Sequence, residues 1–205
     1  MTPDVETHQL SPNIAVWHCY DASVKADLFS TGLCTDSGVY LVDPIPLDAA
    51  VFQTLLGSDN VAGLIVTNAN HRRATPEFSK RLAAPVFAHP DAKTDLEGCE
   101  TIELSDGLMI TPGLTALTID GAAPGEIALH WAPEGGTLIF GDALINMGSN
   151  GFNFLPVKYC LNPKLMRQSL QKVLHYPCKR ILFAHGTPIV SQAQQRLTEL
   201  LRDCA

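Results

Sequence analysis

Three apolar runs in this chain each stop abruptly at a polar cluster: VAGLIV at 61–66 before TNANHRR, TLIF at 137–140 before GDAL, and RILF at 180–183 before AHG. A short continuous apolar run, without polar alternation, reads as a β-strand buried on both faces. Several such strands in one chain must each be covered on two sides. That demand favours layers, with two sheets face to face and helices outside them. Strand ends in such architectures are where functional loops collect, so the three polar clusters are candidates for a shared edge.

The rest of the chain fits this plan. IAVWHCY and DLFSTGLCT read as strands, and SGVYLVDP as the second arm of a hairpin turning at Asp36-Ser37-Gly38 and stopped by Pro44. Leu47, Ala50, Val51 and Leu55 recur at helical spacing. After TNANHRR, Thr75 is expected to cap a helix with Pro76 in its first turn, and Phe78 and Leu82 share one face. APVFAH follows as a strand, and then ETIELSDG, LMITPG, LTALTIDG, GEIALHWAP and GTLIFGD as short strands between Gly, Pro and Asp turns. Asn162-Pro163 opens a helix striped by Met166, Leu170, Val173 and Leu174, and Ala193, Leu197, Leu200 and Leu201 mark a C-terminal one. The expected fold class is therefore α/β (α+β), a four-layer αββα sandwich of two mixed sheets. Residues 1–205 show no linker, repeat or compositional break and are read as one domain.

Composition narrows the function. A hydrophobic content of 46% with 17% charged residues supplies a core and argues against disorder. A net charge of −7 disfavours nucleic acid and anionic membrane surfaces as partners. The first residues, MTPDVETHQLSPNIAV, lack the basic and apolar regions of a signal peptide, and no apolar run approaches the roughly 18 residues of a membrane span. The expected location is the cytoplasm. Cys19, Cys34, Cys99, Cys160, Cys178 and Cys204 form no CxxC pair and read as small apolar residues rather than as disulfides or zinc ligands. No GxSxG elbow or GxxxxGK[ST] loop is present.

The order of YLVDP, TNANHRR, PVFAH, GAAPGEIALHW, GTLIFGDAL and RILFAHGTPI over nearly the whole chain resembles the metallo-β-lactamase superfamily. The resemblance implies the αββα fold of zinc and iron hydrolases. It also implies a metal-binding loop T-H-x-H-x-D-H, which here reads Thr67-Asn68-Ala69-Asn70-His71-Arg72-Arg73. Asn68 and Asn70 stand at histidine positions, Arg72 at the aspartate and Arg73 at the last histidine. The ligand histidine of G-H-T-P-G is Ala122, in Gly121-Ala122-Ala123-Pro124-Gly125. The bridging aspartate of the G-D motif is kept as Asp142, and the final histidine as His185.

Two remnant ligands, Asp142 and His185, do not make a zinc site, which takes four ligands or three plus water. From the sequence no cofactor is expected, with zinc or iron only at low occupancy. An unpaired buried carboxylate costs several kcal/mol, so Arg72 or Arg73 is expected to pair with Asp142 in the metal's place. Asn68 and Asn70 read as turn formers or as groups that bind a ligand or brace the loop. His71 reads as a satisfied turn histidine or as a catalytic or ligand-contacting group. His89 and His130 read as strand-end or surface residues, and His8, His18 and His175 as having no companions. GSNGFNFLP at 148–156 is either a flap over the site, touching it through Phe152 and Phe154, or a connecting loop. The expected function is a metallo-β-lactamase-fold protein with a degenerate dinuclear site, binding a small anionic ligand in the old cleft. The alternative is an ester or thioester hydrolase with a divergent or single-metal site around His71, Asp142 and His185.

Overall fold

Along strand β2 (Ile14–Asp21), Ala15, Trp17 and Cys19 point into one apolar cluster while Ile14 and Val16 point into another. The period of two places successive side chains on opposite faces, so this strand is covered on both sides. The computed structural model describes residues 5–57, 60–96, 98–148 and 151–202. Strand β1 (Glu6–Ser11), not expected from the sequence, pairs with β2 at the sheet edge. The sheet continues through β3 (Ala26–Thr35), β4 (Gly38–Val42), β5 (Val61–Val66), β6 (Val86–Ala88) and β7 (Thr101–Glu103) in chain order. Pairing is antiparallel from β1 to β4 and parallel from β4 to β7. The parallel part is fed by α1 (Ala49–Leu56) and α2 (Thr75–Leu82), whose Phe52 and Phe78 sit in the outer cluster with Trp17 and Leu64.

The second sheet orders β8 (Met109–Thr111), β9 (Leu114–Thr118), β10 (Ile127–Trp131), β11 (Thr137–Phe140) and β14 (Arg180–Phe183) as β14-β11-β10-β9-β8. Its outer face packs on α3 (Pro163–Leu170) and α4 (Ala193–Arg202) through Phe140, Met166, Leu170 and Leu197. Between the sheets lies a third cluster, in which Ile14, Leu33 and Ile65 of the first meet Leu114, Leu129 and Ile139 of the second. Three stacked cores separate four layers, which is the αββα sandwich. Each fully buried aliphatic side chain contributes about 1.5–3 kcal/mol, so truncation of Trp17 or Phe140, both 0% exposed, is expected to cost about 3–5 kcal/mol.

Two local expectations are corrected. Ala74, not Thr75, occupies the cap position of α2 and makes no side-chain cap bond. The helix is entered from a preceding turn in which the Arg72 carbonyl accepts the Thr75 N–H at 2.9 Å, and the buried Thr75 hydroxyl has no protein partner. Residues 144–147 and 151–154 form a hairpin of β12 (Leu144–Met147) and β13 (Gly151–Phe154). Phe152 and Phe154 pack on the outer core of the second sheet, Phe152 against Phe183 at 5.6 Å, so neither covers the polar strand ends. Ser149 and Asn150 of that stretch lie outside the described residues, as does Cys204. Cys19 and Cys178 are buried, and Cys34, Cys99 and Cys160 are half-buried free thiols. Among the described residues no helix is long and apolar enough to cross a membrane.

Candidate metal centre

The loops after β4, β5, β11 and β14 and the one entering β10 meet at one edge of the sandwich. Backbone bonds stitch them across the two sheets: Ile127 N–H to Thr67 O at 2.8 Å, Ala69 N–H to Pro124 O at 3.0 Å, and Phe29 N–H to Ala184 O at 2.9 Å. Asp43 leaves β4 with a left-handed φ of 47°. Its fully buried carboxylate accepts the Thr67 N–H at 2.8 Å and the Thr67 hydroxyl, and meets His71 Nδ1 at 2.9 Å. A non-glycine residue in this region is held there by its surroundings, and here those three bonds hold it.

After Thr67 the chain winds into a 3₁₀ turn, Ala69–His71, capped by Asn68, whose Oδ1 accepts the Asn70 N–H at 2.9 Å. In a 3₁₀ turn residues three apart share a side. Asn68 and His71 therefore both face inward, at 0% and 3% exposure. His71 Nε2 lies 3.2 Å from Asp142 Oδ1 and 3.2 Å from His185 Nε2, and His185 Nε2 lies 3.3 Å from Asp142 Oδ1. Of the two readings of His71, the structure places it inside the cluster.

The expected arginine pair with Asp142 does not form. Arg72 is exposed. Arg73, at a left-handed φ of 41°, turns inward and spends its guanidinium on backbone carbonyls: Nη1 on Phe29 O and on Asp43 O at 2.9 Å, Nη2 on Ala184 O at 3.1 Å. Three backbone carbonyls, from β3 and from the residues that follow β4 and β14, outcompete a carboxylate that already has partners. Among the described residues the ion-pair partners of Asp142 are His71 and His185. On its other oxygen, Asp142 Oδ2 accepts from Asn68 Nδ2 at 3.2 Å, and the same amide donates to Glu126 Oε2 at 2.7 Å. Glu126 Oε1 accepts the backbone N–H of Asp142 at 2.8 Å and of Ala143 at 2.9 Å. Gly141 is needed here: a Cβ on it would stand 2.6 Å from Thr67 Oγ1 and 2.8 Å from Glu126 Oε1.

Burial opposes charge on His71, but the Asp43 and Asp142 carboxylates outweigh it and raise its pKa to about 9. Burial also disfavours charge on Asp142, yet the charge and hydrogen bond of His71, with His185 behind them, hold its carboxyl well below the usual range. His185 is pushed down to about 4, first by burial and then by the charge on His71. Burial, with the Asp142 charge beside it, lifts Glu126 to about 8 despite its N–H donors.

The donor set can be set against the needs of a metal. An ion bound at the usual 2.0–2.2 Å in tetrahedral geometry holds its ligand atoms about 3.3–3.5 Å apart. His71 Nε2, Asp142 Oδ1 and His185 Nε2 already form a triangle of 3.2–3.3 Å edges. Asp43 supplies the carboxylate that metal-ligating histidines engage through their second nitrogen. These residues fit one ion. They do not fit a pair, because Asn68 and Glu126 are consumed by each other and Ala122, with 0% exposure, offers no donor. The sequence count of two ligands thus becomes three.

A cavity of about 610 Å³ opens onto the triangle. Val24, Leu28, Ile45 and Phe78 give it apolar lining, Arg73 and Arg81 line it as cations, and Asp21 and Glu77 as anions. The Arg81 guanidinium lies 4.5 Å above the Phe78 ring. Asn70 also lines the cavity. Asp43, Thr67 and Glu126 were not anticipated. Asp43 carried the same signal as the recognised clusters, a polar residue ending an apolar run, and Glu126 is a lone charge opening one. His130 is buried rather than superficial, with Nε2 3.0 Å from Pro177 O. His8 and His18 are companions, stacked at 5.7 Å.

A family model described as the metallo-beta-lactamase superfamily matches residues 8–203. The chain belongs to that superfamily. Among solved structures it is similar to the DIM-1 metallo-beta-lactamase, at TM-score 0.77 and 10% identity over 99% of each chain. A metallo-beta-lactamase from Pontibacter korlensis matches at TM-score 0.76 and 15% identity, over 98% of this chain and 100% of that one. A metallo-beta-lactamase from Erythrobacter litoralis matches at TM-score 0.71 and 14% identity, over 98% of this chain and 96% of that one. A comparison with curated proteins finds no match.

Proposed function

We propose that this chain is a hydrolase working with one metal ion, zinc or ferrous iron, held by His71, Asp142 and His185, on ester or thioester substrates that carry an anionic group. The observation that carries the reading is the 3.2–3.3 Å triangle of donor atoms with Asp43 behind His71. Two histidines and one carboxylate are a donor set of both zinc hydrolytic sites and ferrous sites. A bound ion would supply Lewis acidity toward the substrate oxygen and acidify water.

The chain's own residues do the rest. Asp43 accepts the Nδ1–H of His71 and leaves Nε2 directed at the centre. Asn68 and the Glu126 clamp hold the Asp142 carboxylate in place from the far side. Arg73 ties β3 to the residues that follow β4 and β14 so that the donors keep their spacing. The apolar wall accepts an acyl portion and excludes water, while Arg81 at the same cavity attracts an anionic end.

A second reading rests on a different observation. Without metal, His71 carries charge between Asp43 and Asp142, and Arg73 and Arg81 line the cavity. That state suits a metal-free site that binds a small anion without turnover. The two readings separate by elemental analysis and calorimetry on chelator-treated protein, followed by assay with 4-nitrophenyl esters and carboxylate-bearing acyl thioesters. The expected result is that His185→Ala lowers the bound zinc or ferrous iron by one equivalent, and that this variant and chelator each abolish activity. Uptake unchanged in His185→Ala, or no uptake with an anion-dependent rise in Tm, would reverse the assignment toward the second reading.

A further inference from the structure

Away from this centre, Glu6 and His8 lie two apart on β1 and so project from one face of the strand. On β2, His18 sits directly opposite Glu6 in the antiparallel register, placing a third donor on that face. Glu6 Oε2 is 3.7 Å from His18 Nε2, and one donor atom from each of the three lies within 4.8 Å of the others. The His18 ring is fixed, stacked on Phe29 at 4.4 Å and 15°, and His8 stacks on its other side at 5.7 Å and 10°. A separate cavity of about 650 Å³ opens beside both imidazoles, with Lys25, Asp27, Asn146 and Thr187 among its walls.

We infer that Glu6, His8 and His18 form a second divalent-cation site, independent of the cluster at His71, for an ion that prefers imidazole such as Zn²⁺, Cu²⁺ or Ni²⁺. Two imidazoles and a carboxylate are the donor class of these borderline metals, whereas Mg²⁺ and Ca²⁺ want oxygen alone. The donors stand wider apart than the about 3.3–3.5 Å of bound ligands. The gap is closed by rotation of Glu6 and His8, whose side chains are exposed, onto the packed His18. The adjacent cavity admits the water that completes a three-ligand site. Strand β1 is an edge strand bonded to β2 alone, so an ion shared by Glu6, His8 and His18 would cross-link that edge and stabilise it by mass action.

The test uses the full chain carrying Asp142→Asn and His185→Ala, which removes the first site. Calorimetric titration with Zn²⁺ is expected to show one equivalent bound and a Tm that rises with metal concentration. Adding His18→Ala is expected to weaken binding at least tenfold, and Glu6→Gln several-fold. No uptake by the folded background variant, or affinity unchanged after His8→Ala with His18→Ala, would overturn the site. Should the background variant fail to fold, wild-type protein titrated with Cu²⁺ answers the same question by NMR. Early broadening of the His8 and His18 imidazole resonances supports the site, and sharp resonances for both overturn it. The readout does not depend on hydrolysis, so it stands or falls apart from the proposed activity.

Discussion

The two sides of the polar edge, built from neighbouring loops, behave as opposites. On the His71–Asp142–His185 side the donor atoms face one another across 3.2–3.3 Å, free to share a cation. On the Asn68–Glu126 side the polar atoms are already satisfied, with one amide bridging two carboxyl groups and a glutamate clamping two backbone N–H groups. A buried carboxylate must be compensated. One side is compensated by histidines, which a metal can replace. The other is compensated by neutral N–H donors around a Glu126 carboxyl whose pKa burial and Asp142 raise, contacts that a metal cannot easily displace. The lesson is that a buried polar edge need not be uniform: it divides into a half that can exchange partners and a half that is closed.

The largest expected effect comes from Asp43→Ala. It strands the Thr67 N–H and hydroxyl and the charged His71, and should cost about 3–5 kcal/mol in urea unfolding. A loss under about 1 kcal/mol would mean that His71 does not depend on Asp43. Next, Asn68→His puts back a family ligand on the closed side. It should cost about 2 kcal/mol, because Glu126 loses its amide donor and Asn70 N–H its cap. Metal stoichiometry at the edge should stay at one, and a second equivalent with higher activity would show that the closed side can reopen.

Glu126→Gln tests the proton on that side. The folded pKa, about 8, exceeds the unfolded 4.5. Between those values the native state holds a proton that the unfolded chain has released, so this group makes stability fall as pH rises from about 4.5 to 8. His71, raised from 6.5 to about 9, adds stability present below 6.5 and lost as pH rises through 9. His185, lowered from 6.5 to about 4, makes stability rise with pH between those values, so the variant should turn the Tm profile upward between pH 4.5 and 6.5 and leave a decline above it. A profile parallel to wild type throughout would assign Glu126 as ionised in the fold. The smallest effect is expected for Arg81→Ala. It should raise KM for an anionic ester about two- to fivefold with kcat unchanged, since exposed charges contribute about 0.5–1 kcal/mol. A neutral ester should show no difference.

Much of this was readable before any coordinates. The apolar runs at 61–66, 137–140 and 180–183 appear as β5, β11 and β14, and the Asn162 cap opens α3 as expected, with Oδ1 accepting the Leu165 N–H at 3.0 Å. Strand β1 was missed because ETHQLS is exposed and polar, with no apolar face to announce it. The short β12 and β13 were missed because their pairing is set by packing on a neighbouring core rather than by their own pattern. Asp142 and His185 were singled out from polar clusters after apolar strands and from the G-D and final-histidine positions of the resemblance. Arg73 was expected to pair with Asp142, whereas its guanidinium bonds backbone carbonyls.

What the sequence determined by itself is the layering, since continuous apolar strands tolerate water on neither face, and the location of the polar edge, since those strands all end there. It also determined that an amide and an alanine stand at Asn68 and Ala122, which is a matter of chemical identity. Which side chains face the centre was decided only by tertiary structure. A linear match treats residues 68 to 73 as an extended register, whereas a 3₁₀ turn brings His71 beside Asn68 and sends Arg72 outward. The partner of Asp142 likewise depended on distances across two sheets, where the Phe29, Asp43 and Ala184 carbonyls bind Arg73 instead. Direction and competition for hydrogen bonds arise when the chain closes on itself, and one-dimensional order carries neither.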